Sequence, residues 1–518
     1  MPLSKASAFA LAAASGGLAI LASPPHDVWP LAFVSWAPLF LAIHGRSPRE
    51  AFWLGGARDL VMNALGLAWI PAVTRSFGGL PWIACGAIGA LFYLYGAGRT
   101  ALLAWVVARA ERNGWSRNVA VVLALAGTEA VYPLLFPWYS AVQVHGVPLL
   151  LQLAELGGPV LVGIPLAMAG LAVAEVAQAA LERRGVDARA VSVLLAGPAA
   201  MLAFGAVRLR SVEASMAGAP KVEVGFVQAN APVTGLSLPE AISVHREATL
   251  RLTNERPLDL VVWPEDALNG ALPREAIGPM FEDVTRLSSG TRRLETAILA
   301  GATLRRGSEL TNSAVLFADG RLRGIYDKMH PLAFGEALPL GDTFPSLYRA
   351  IPNASRITPG TKVAGLPLGT HLVLPLICYE DLLADSANRA VAEVDPDLLV
   401  NITNDAWFGA GSAAVAHLAF AQFRAVEHRR YLVHAANSGV SAFVDPTGRV
   451  LEATPTFEAA ARRATLRWMR ARTVYETLGE APWWGAAAMA IAMGLVRRRR
   501  GVLGRRSSCA VLGSEAAT

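Results

Sequence analysis

Apolar and polar positions along the chain fall into two regimes. Up to about residue 210 the apolar residues form near-continuous runs, at 6–23, 28–44, 51–72, 80–108, 118–136, 156–181 and 190–208. A membrane-crossing helix takes about 20 mostly apolar residues, so these seven runs predict seven spans. A further run at 482–496 predicts an eighth, a little short unless Trp483 and Trp484 sit at the membrane interface. Between 211 and 480 the pattern changes to short β-like runs separated by amphipathic stretches. Strands are predicted at 222–229, 258–265, 296–304, 312–318, 371–380, 397–405, 431–439 and 441–451, and helices at 239–254 and 413–428. Several of these strands are apolar throughout, which suits strands covered on both faces. "FADGRL" and "VDPTGRV" read as hairpin turns. The expected organisation is a membrane domain over 1–210, a layered α/β domain over 211–480, a last span at 481–497 and a basic tail at 498–518.

Composition supports this division. Of the 518 residues, 53% are hydrophobic and only 17% charged, and the mean hydropathy is +0.40. A soluble protein carries roughly 25% charged residues. The net charge of +6 does not point to nucleic acid, and no such partner is predicted; the block "RRRR" at 497–500 directly follows an apolar run and reads as a membrane-flanking anchor. With a cytoplasmic N-terminus, the inside loops 44–50, 108–117 and 181–189 are rich in Arg, whereas the outside loops 23–27, 74–79 and 136–155 together hold one. This bias places both termini in the cytoplasm and, after seven spans, the α/β domain outside it. The first run, which follows Lys5, also fits a cleaved signal peptide, but six further runs follow it. Arg58 and Asp59, inside the third run, are expected to pair with each other or to face a wet cavity.

Ionisable groups gather at the ends of predicted strands. Glu265 ends "LVVWPE", Lys328 ends "GIYDK", Cys378 ends "VLPLIC" and Asp405 ends "LVNITND". Outside the cytoplasm two cysteines would normally pair. The other two, Cys85 in the fourth run and Cys509 in the tail, cannot reach an external Cys378. Cys378 is therefore either an inert buried thiol or a reactive one. A reactive thiol needs a base and a cation or N–H groups to hold an oxyanion, tasks for which Glu265 and Lys328 are the candidates. The nine histidines are scattered and no pair of neighbouring cysteines exists, so neither a metal site nor a cofactor is predicted.

"VVWPEDAL", "YDKMHPLAFGEALPLG", "LICYEDL" and "NITNDAWFG" occur in this order. Together they resemble the Glu, Lys and Cys segments of the nitrilase superfamily. The longer forms "YDKMHPLAFGEALP" and "HLAFAQFRAVEHRRYLVHAANSGVSAFVDPTGRV" resemble one branch of it, the apolipoprotein N-acyltransferases. The resemblance covers most of 222–480 and extends to the arrangement of the spans. It implies a nitrilase-like αββα sandwich on the periplasmic side of a bacterial inner membrane. It further implies Glu265 as general base, Lys328 as oxyanion stabiliser and Cys378 as nucleophile, with the Tyr379 backbone N–H as a second oxyanion donor. Glu336 is expected to orient Lys328 or modulate Glu265, and Glu380 to support the nucleophile's loop. The implied partners are membrane lipids: a phospholipid acyl donor, of which phosphatidylethanolamine is the expected one, and diacylglyceryl apolipoproteins as acceptors.

Trp263, Trp407 and Phe408 are equally suited to line an acyl path or to fill a core, and His330 is assigned a loop role. The chain departs from the family in having no Trp shortly after its first strand, in "VQANAPVTGLSLPEA", and in carrying Pro331 and Ala333 after Lys328. Two rival readings share the triad's neighbourhood: a membrane-bound nitrilase-type amidase acting on a small amide, and an inactive scaffold that holds lipoproteins.

Overall fold

A computed structural model describes residues 3–285, 295–341, 343–350 and 355–498. Apart from Arg498, the expected basic tail, Cys509 included, lies outside these residues. Among the described residues, four helices are long and apolar enough to cross a membrane: Lys5–Ala22, Trp82–Arg112, Ala154–Glu182 and Ala188–Gly218. The remaining apolar runs form shorter or interrupted helices. The run at 28–44 divides into Trp29–Phe33 and Ala37–Ile43, each with a proline in its first turn, where the ring fixes φ and starts a new helix. Arg117–Val131 and Ala481–Leu495 have 15 residues each, which is about 22 Å of helix against roughly 30 Å of hydrocarbon. Ala188–Gly218 continues past residue 210, where the membrane domain was expected to end, and leads directly into the first strand.

Small residues let these helices touch. A Cβ at Gly16 would lie 2.3 Å from the Arg58 carbonyl oxygen, and one at Gly55 would lie 2.2 Å from that of Thr100. Close approach of this kind is how helices pack where lipid removes the hydrophobic drive. It brings the polar residues of the third run into the bundle. Arg58 pairs with Asp59 and lies over the Trp36 ring at 3.7 Å, while Asp59 accepts the Thr100 hydroxyl at 2.6 Å and stands 3.6 Å from Arg99.

The α/β domain contains thirteen strands among the described residues: β1 Lys221–Gln228, β2 Leu260–Val262, β3 Leu268–Pro273, β4 Ala297–Arg306, β5 Glu309–Ala318, β6 Arg321–Asp327, β7 Leu366–Leu368, β8 His371–Ile377, β9 Leu398–Thr403, β10 Tyr431–Ala436, β11 Ala442–Val444, β12 Val450–Ala453 and β13 Ala460–Arg467. They form two sheets, ordered β13-β1-β2-β4-β5-β6, with β3 also on β4, and β12-β11-β10-β9-β8-β7. Val222, Val224, Phe226, Leu398, Val400 and Ile402 point between the sheets. The alternate positions face outwards. Val227 and Val261 meet the helices Leu238–Glu255 and Ile277–Thr285, and Leu399 and Leu432 meet Ala384–Val394 and Ala413–His428. Helix, sheet, sheet and helix thus stack in four layers, which explains why the strands read as apolar on both faces.

Polar contacts join the two parts. Arg429 donates to Glu155 at 2.7 Å and Gln152 at 2.8 Å, and Arg208 donates to the other Glu155 oxygen at 2.6 Å. The Tyr379 hydroxyl donates to the Leu135 carbonyl at 2.5 Å.

Candidate active site

The ends of β2, β6 and β8 converge. Two residues past β2, Pro264 turns the chain and Glu265 follows; Lys328 comes directly after β6 and Cys378 directly after β8. All three are buried, with exposures of 6%, 1% and 8%. The Lys328 ammonium lies 2.6 Å from Glu336 and 3.4 Å from Glu265. Asn312, in β5, spans both acids, donating to Glu265 at 2.7 Å and Glu336 at 2.9 Å. The Asn404 N–H holds the second Glu265 oxygen at 2.9 Å, and the Leu332 N–H donates to Glu336 at 2.7 Å.

Lys328 is thus nearer to Glu336 than to Glu265, and this division sets the electrostatics. Burial pushes Glu265 up to about 7, with Lys328 only partly offsetting it. Burial also favours the charged form of Glu336 less, yet Lys328 and the Leu332 N–H hold it below the ordinary range. Burial alone would lower the Lys328 ammonium, but Glu336 and Glu265 hold it well above the usual lysine value. Burial and the Glu265 carboxylate push the Cys378 thiol well above its ordinary value. The resting site therefore holds a Lys328–Glu336 ion pair, a protonated thiol and a carboxyl group that ionises near neutrality.

Cys378 opens the short turn Cys378–Leu382 with φ +52°. The left-handed region costs a residue with a Cβ roughly 1–2 kcal/mol, so the surroundings must impose it. Asn401 donates to the Cys378 carbonyl at 3.0 Å. Glu380 does more: its carboxylate accepts the Ile377 N–H at 2.8 Å, the Met329 N–H at 2.7 Å, the His330 N–H at 3.2 Å and the Tyr326 hydroxyl at 2.9 Å. One buried side chain therefore ties the segment after Lys328 to the strand end before Cys378. His330 has the loop placement expected of it, with its ring 2.6 Å from the Ser386 hydroxyl.

Cys378 borders an apolar pocket of about 560 Å³, open solvent included. Tyr379, Leu382, Phe408 and Phe420 line it from the α/β domain, and Trp69, Phe136 and Trp138 from the helical part. Aromatic edges close the seam, with Phe408 5.1 Å from Trp69 and Phe136 6.1 Å from Tyr379, centroid to centroid. Of the three aromatics equally suited to a path or a core, Phe408 lines the pocket, and Trp407 is not among the lining residues. Trp263 does not line the pocket either. It is fully buried on the outer face of the first sheet, where its indole N–H donates to Thr249 at 2.9 Å and it packs near Phe281. Its neighbour Val262 points between the sheets, so strand alternation sends Trp263 to the helix side.

Asn312, Asn401, Asn404 and Tyr326 were not anticipated. The fold also gathers two of the scattered histidines: His417 lies 2.9 Å from both Asp381 and Asp405, and His434 3.5 Å from Asp381. Asp405, His417 and His434 stand close enough together to hold a metal ion, but with a proton on each nitrogen, as its two carboxylate partners favour, the His417 ring has no lone pair to give one. Asp405, noted for its place at a strand end, belongs to this cluster.

Two family models match the chain: the apolipoprotein N-acyltransferase N-terminal domain over residues 15–172, and carbon-nitrogen hydrolase over residues 223–471. An apolipoprotein N-acyltransferase of Geobacter metallireducens is 31% identical over 511 residues, covering 95% of this chain and 96% of the relative. The chain belongs to the apolipoprotein N-acyltransferase family. Relatives of the same name from Azotobacter vinelandii and Pseudomonas syringae pv. tomato are 31% and 30% identical, over 94% and 86% of this chain and 95% and 88% of theirs. The family and the long apolar helices make this an integral membrane acyltransferase carrying a nitrilase-like domain.

Proposed function

We propose that this protein moves a fatty acyl chain from a phospholipid, through a thioester on Cys378, to the α-amino group of a diacylglyceryl-cysteine at an apolipoprotein N-terminus. The observation that carries the reading is the pocket beside Cys378. Its wall is apolar and comes jointly from the helical part and the α/β domain, as a site for substrates held in a bilayer requires.

The buried thiol keeps its proton until a base takes it. Glu265, which ionises near neutrality, accepts the Cys378 proton as the sulfur attacks the ester carbonyl. The carbonyl oxygen gains the negative charge and is met by the Lys328 ammonium and the Tyr379 N–H. The intermediate collapses, Glu265 returns its proton to the departing lysophospholipid oxygen, and the thioester remains. The lipoprotein amine then attacks the thioester carbonyl, Glu265 takes a proton from the nitrogen, and an amide forms as the Cys378 sulfur leaves and is reprotonated. The two half-reactions make a ping-pong cycle. Glu336 pairs with Lys328 and so leaves Glu265 basic enough to act. The apolar pocket keeps water from the thioester.

Phosphatidylethanolamine is the proposed donor. The α/β domain sits on the periplasmic face of the inner membrane, anchored by eight spans, in accord with the Arg distribution of the loops. Supplying the purified protein with phosphatidylethanolamine and a diacylated lipopeptide tests the reading. Amide-linked acyl chain on the peptide is expected. Ammonia release from small amides without acyl transfer would overturn it.

A further inference from the structure

His417 occupies an unusual position in the helix Ala413–His428. It lines the pocket beside Cys378, yet its ring is sealed between two fully buried carboxylates. Its Nε2 lies 2.9 Å from Asp381 and its Nδ1 2.9 Å from Asp405. A ring with a carboxylate at each nitrogen carries a proton on both. Burial disfavours that charge, but the two aspartates overcome it and hold His417 well above the ordinary histidine range. Asp381 responds in kind, drawn down to about 2 despite its burial.

The two aspartates belong to the turns that matter most. Asp381 lies in Cys378–Leu382, the turn that carries the thiol. Asp405 opens Asp405–Phe408 directly after Asn404, whose N–H holds Glu265. A Cβ on Gly439 would lie 2.1 Å from the Asp405 carboxylate, so a glycine there is what leaves that side chain its place. Among the described residues the cluster is also faced by His434 of β10, whose ring stands edge-on to His417 at 5.0 Å, and by Arg424, whose charge interacts with Asp381. The Asp405 charge also acts on Cys378 and disfavours its thiolate.

Resting on the reading of Cys378 as nucleophile and Glu265 as base, we infer that the His417 imidazolium is a positioning residue that locks the nucleophile's turn to the turn holding the base. It also balances the Asp405 charge beside the thiol. Removing it has two consequences. The two turns lose their common tether, and an uncompensated carboxylate remains near Cys378.

His417→Gln in the full-length protein in detergent is the test, with wild type as reference. Two quantities are read: formation of the acyl adduct from phosphatidylethanolamine, and the pH dependence of Cys378 alkylation by iodoacetamide. The variant is expected to load roughly 10- to 100-fold more slowly, the scale of a small misplacement of reacting groups. Its alkylation midpoint is expected at higher pH than wild type. Adding Asp405→Asn to it removes the stranded charge and is expected to bring the midpoint back down. A purely structural histidine would lower stability without moving the midpoint. Should His417→Gln not fold, Asp405→Asn alone is expected to lower the midpoint. Wild-type loading and an unmoved midpoint in whichever variant folds would overturn the inference. Failure of wild type itself to load would instead refute the nucleophile assignment.

Discussion

Replacing Glu380 by Gln separates two effects that burial usually confounds. The Glu380 carboxylate serves four donors, and one oxygen alone takes the Ile377 N–H while the other takes those of Met329 and His330. Glutamine keeps one acceptor oxygen. Placed toward Met329 and His330, it leaves the Ile377 N–H facing an amide NH₂, with Tyr326 free to turn and accept. A buried donor left unsatisfied costs about 1–3 kcal/mol. Against this, burial raises Glu380 above its ordinary range despite its donors, so the carboxylate's charge is itself costly and a neutral amide recovers part of that cost. The net stability loss belongs at the lower end of the range, about 1 kcal/mol. The kinetic loss should be far larger. Ile377 immediately precedes Cys378, whose φ of +52° exists only because its neighbours impose it. Freeing that strand end lets the thiol relax, at a cost of roughly 10- to 100-fold in acylation. Chemical denaturation in detergent reads the first quantity and time-resolved intact mass of lipid-treated protein the second. A variant that loads at the wild-type rate, or whose loss of rate merely tracks its loss of folded protein, would refute the reasoning.

Two other outcomes follow from the same geometry. Because Glu265 must be ionised to accept the thiol proton and burial places it at about 7, thioester formation should fall as pH drops below that value; Glu265→Gln should remove this limb and slow loading by roughly 10²- to 10⁴-fold, checked by adduct formation across pH. Ala416→Phe projects a ring into the pocket that Ala416 lines, and overpacking of about 1–3 kcal/mol should slow loading from long-chain donors by roughly tenfold or more while sparing short-chain esters, as paired donor assays would show.

The elements that were legible in the sequence are those whose environment is simplest. β9 and β10 are buried on both faces and read as mostly apolar runs, broken only by Asn401, Thr403 and His434. The helix Ala413–His428 was placed to the residue and Leu238–Glu255 to within one at each end, although the first is buried on nearly every side and only the second buries a single face. β13 escaped notice, since its Arg462, Arg463 and Arg467 look like a solvated stretch. It is an edge strand paired only with β1, where such residues keep one face in water. Trp263 was offered for the pocket as readily as for a core, because a residue near a strand end reads as site or core until strand parity is known. Glu265, Lys328 and Cys378 were visible at strand ends and through family motifs. Their partners were not. Asn312 and Asn404 reach Glu265 across 47 and 139 positions, and Asp381 meets His417 across 36. Pairing of that kind is set by how the sheets stack, which no local pattern encodes.

The central claim is that the Cys378 sulfur carries the acyl chain. Intact-mass measurement of the purified protein after incubation with phosphatidylethanolamine tests it most directly. The account predicts a gain of one fatty acyl mass, absent in Cys378→Ala, released by hydroxylamine, and lost when a diacylated lipopeptide is added. A protein that acylates the peptide without ever bearing the adduct, or that bears it equally after Cys378→Ala, would contradict the account.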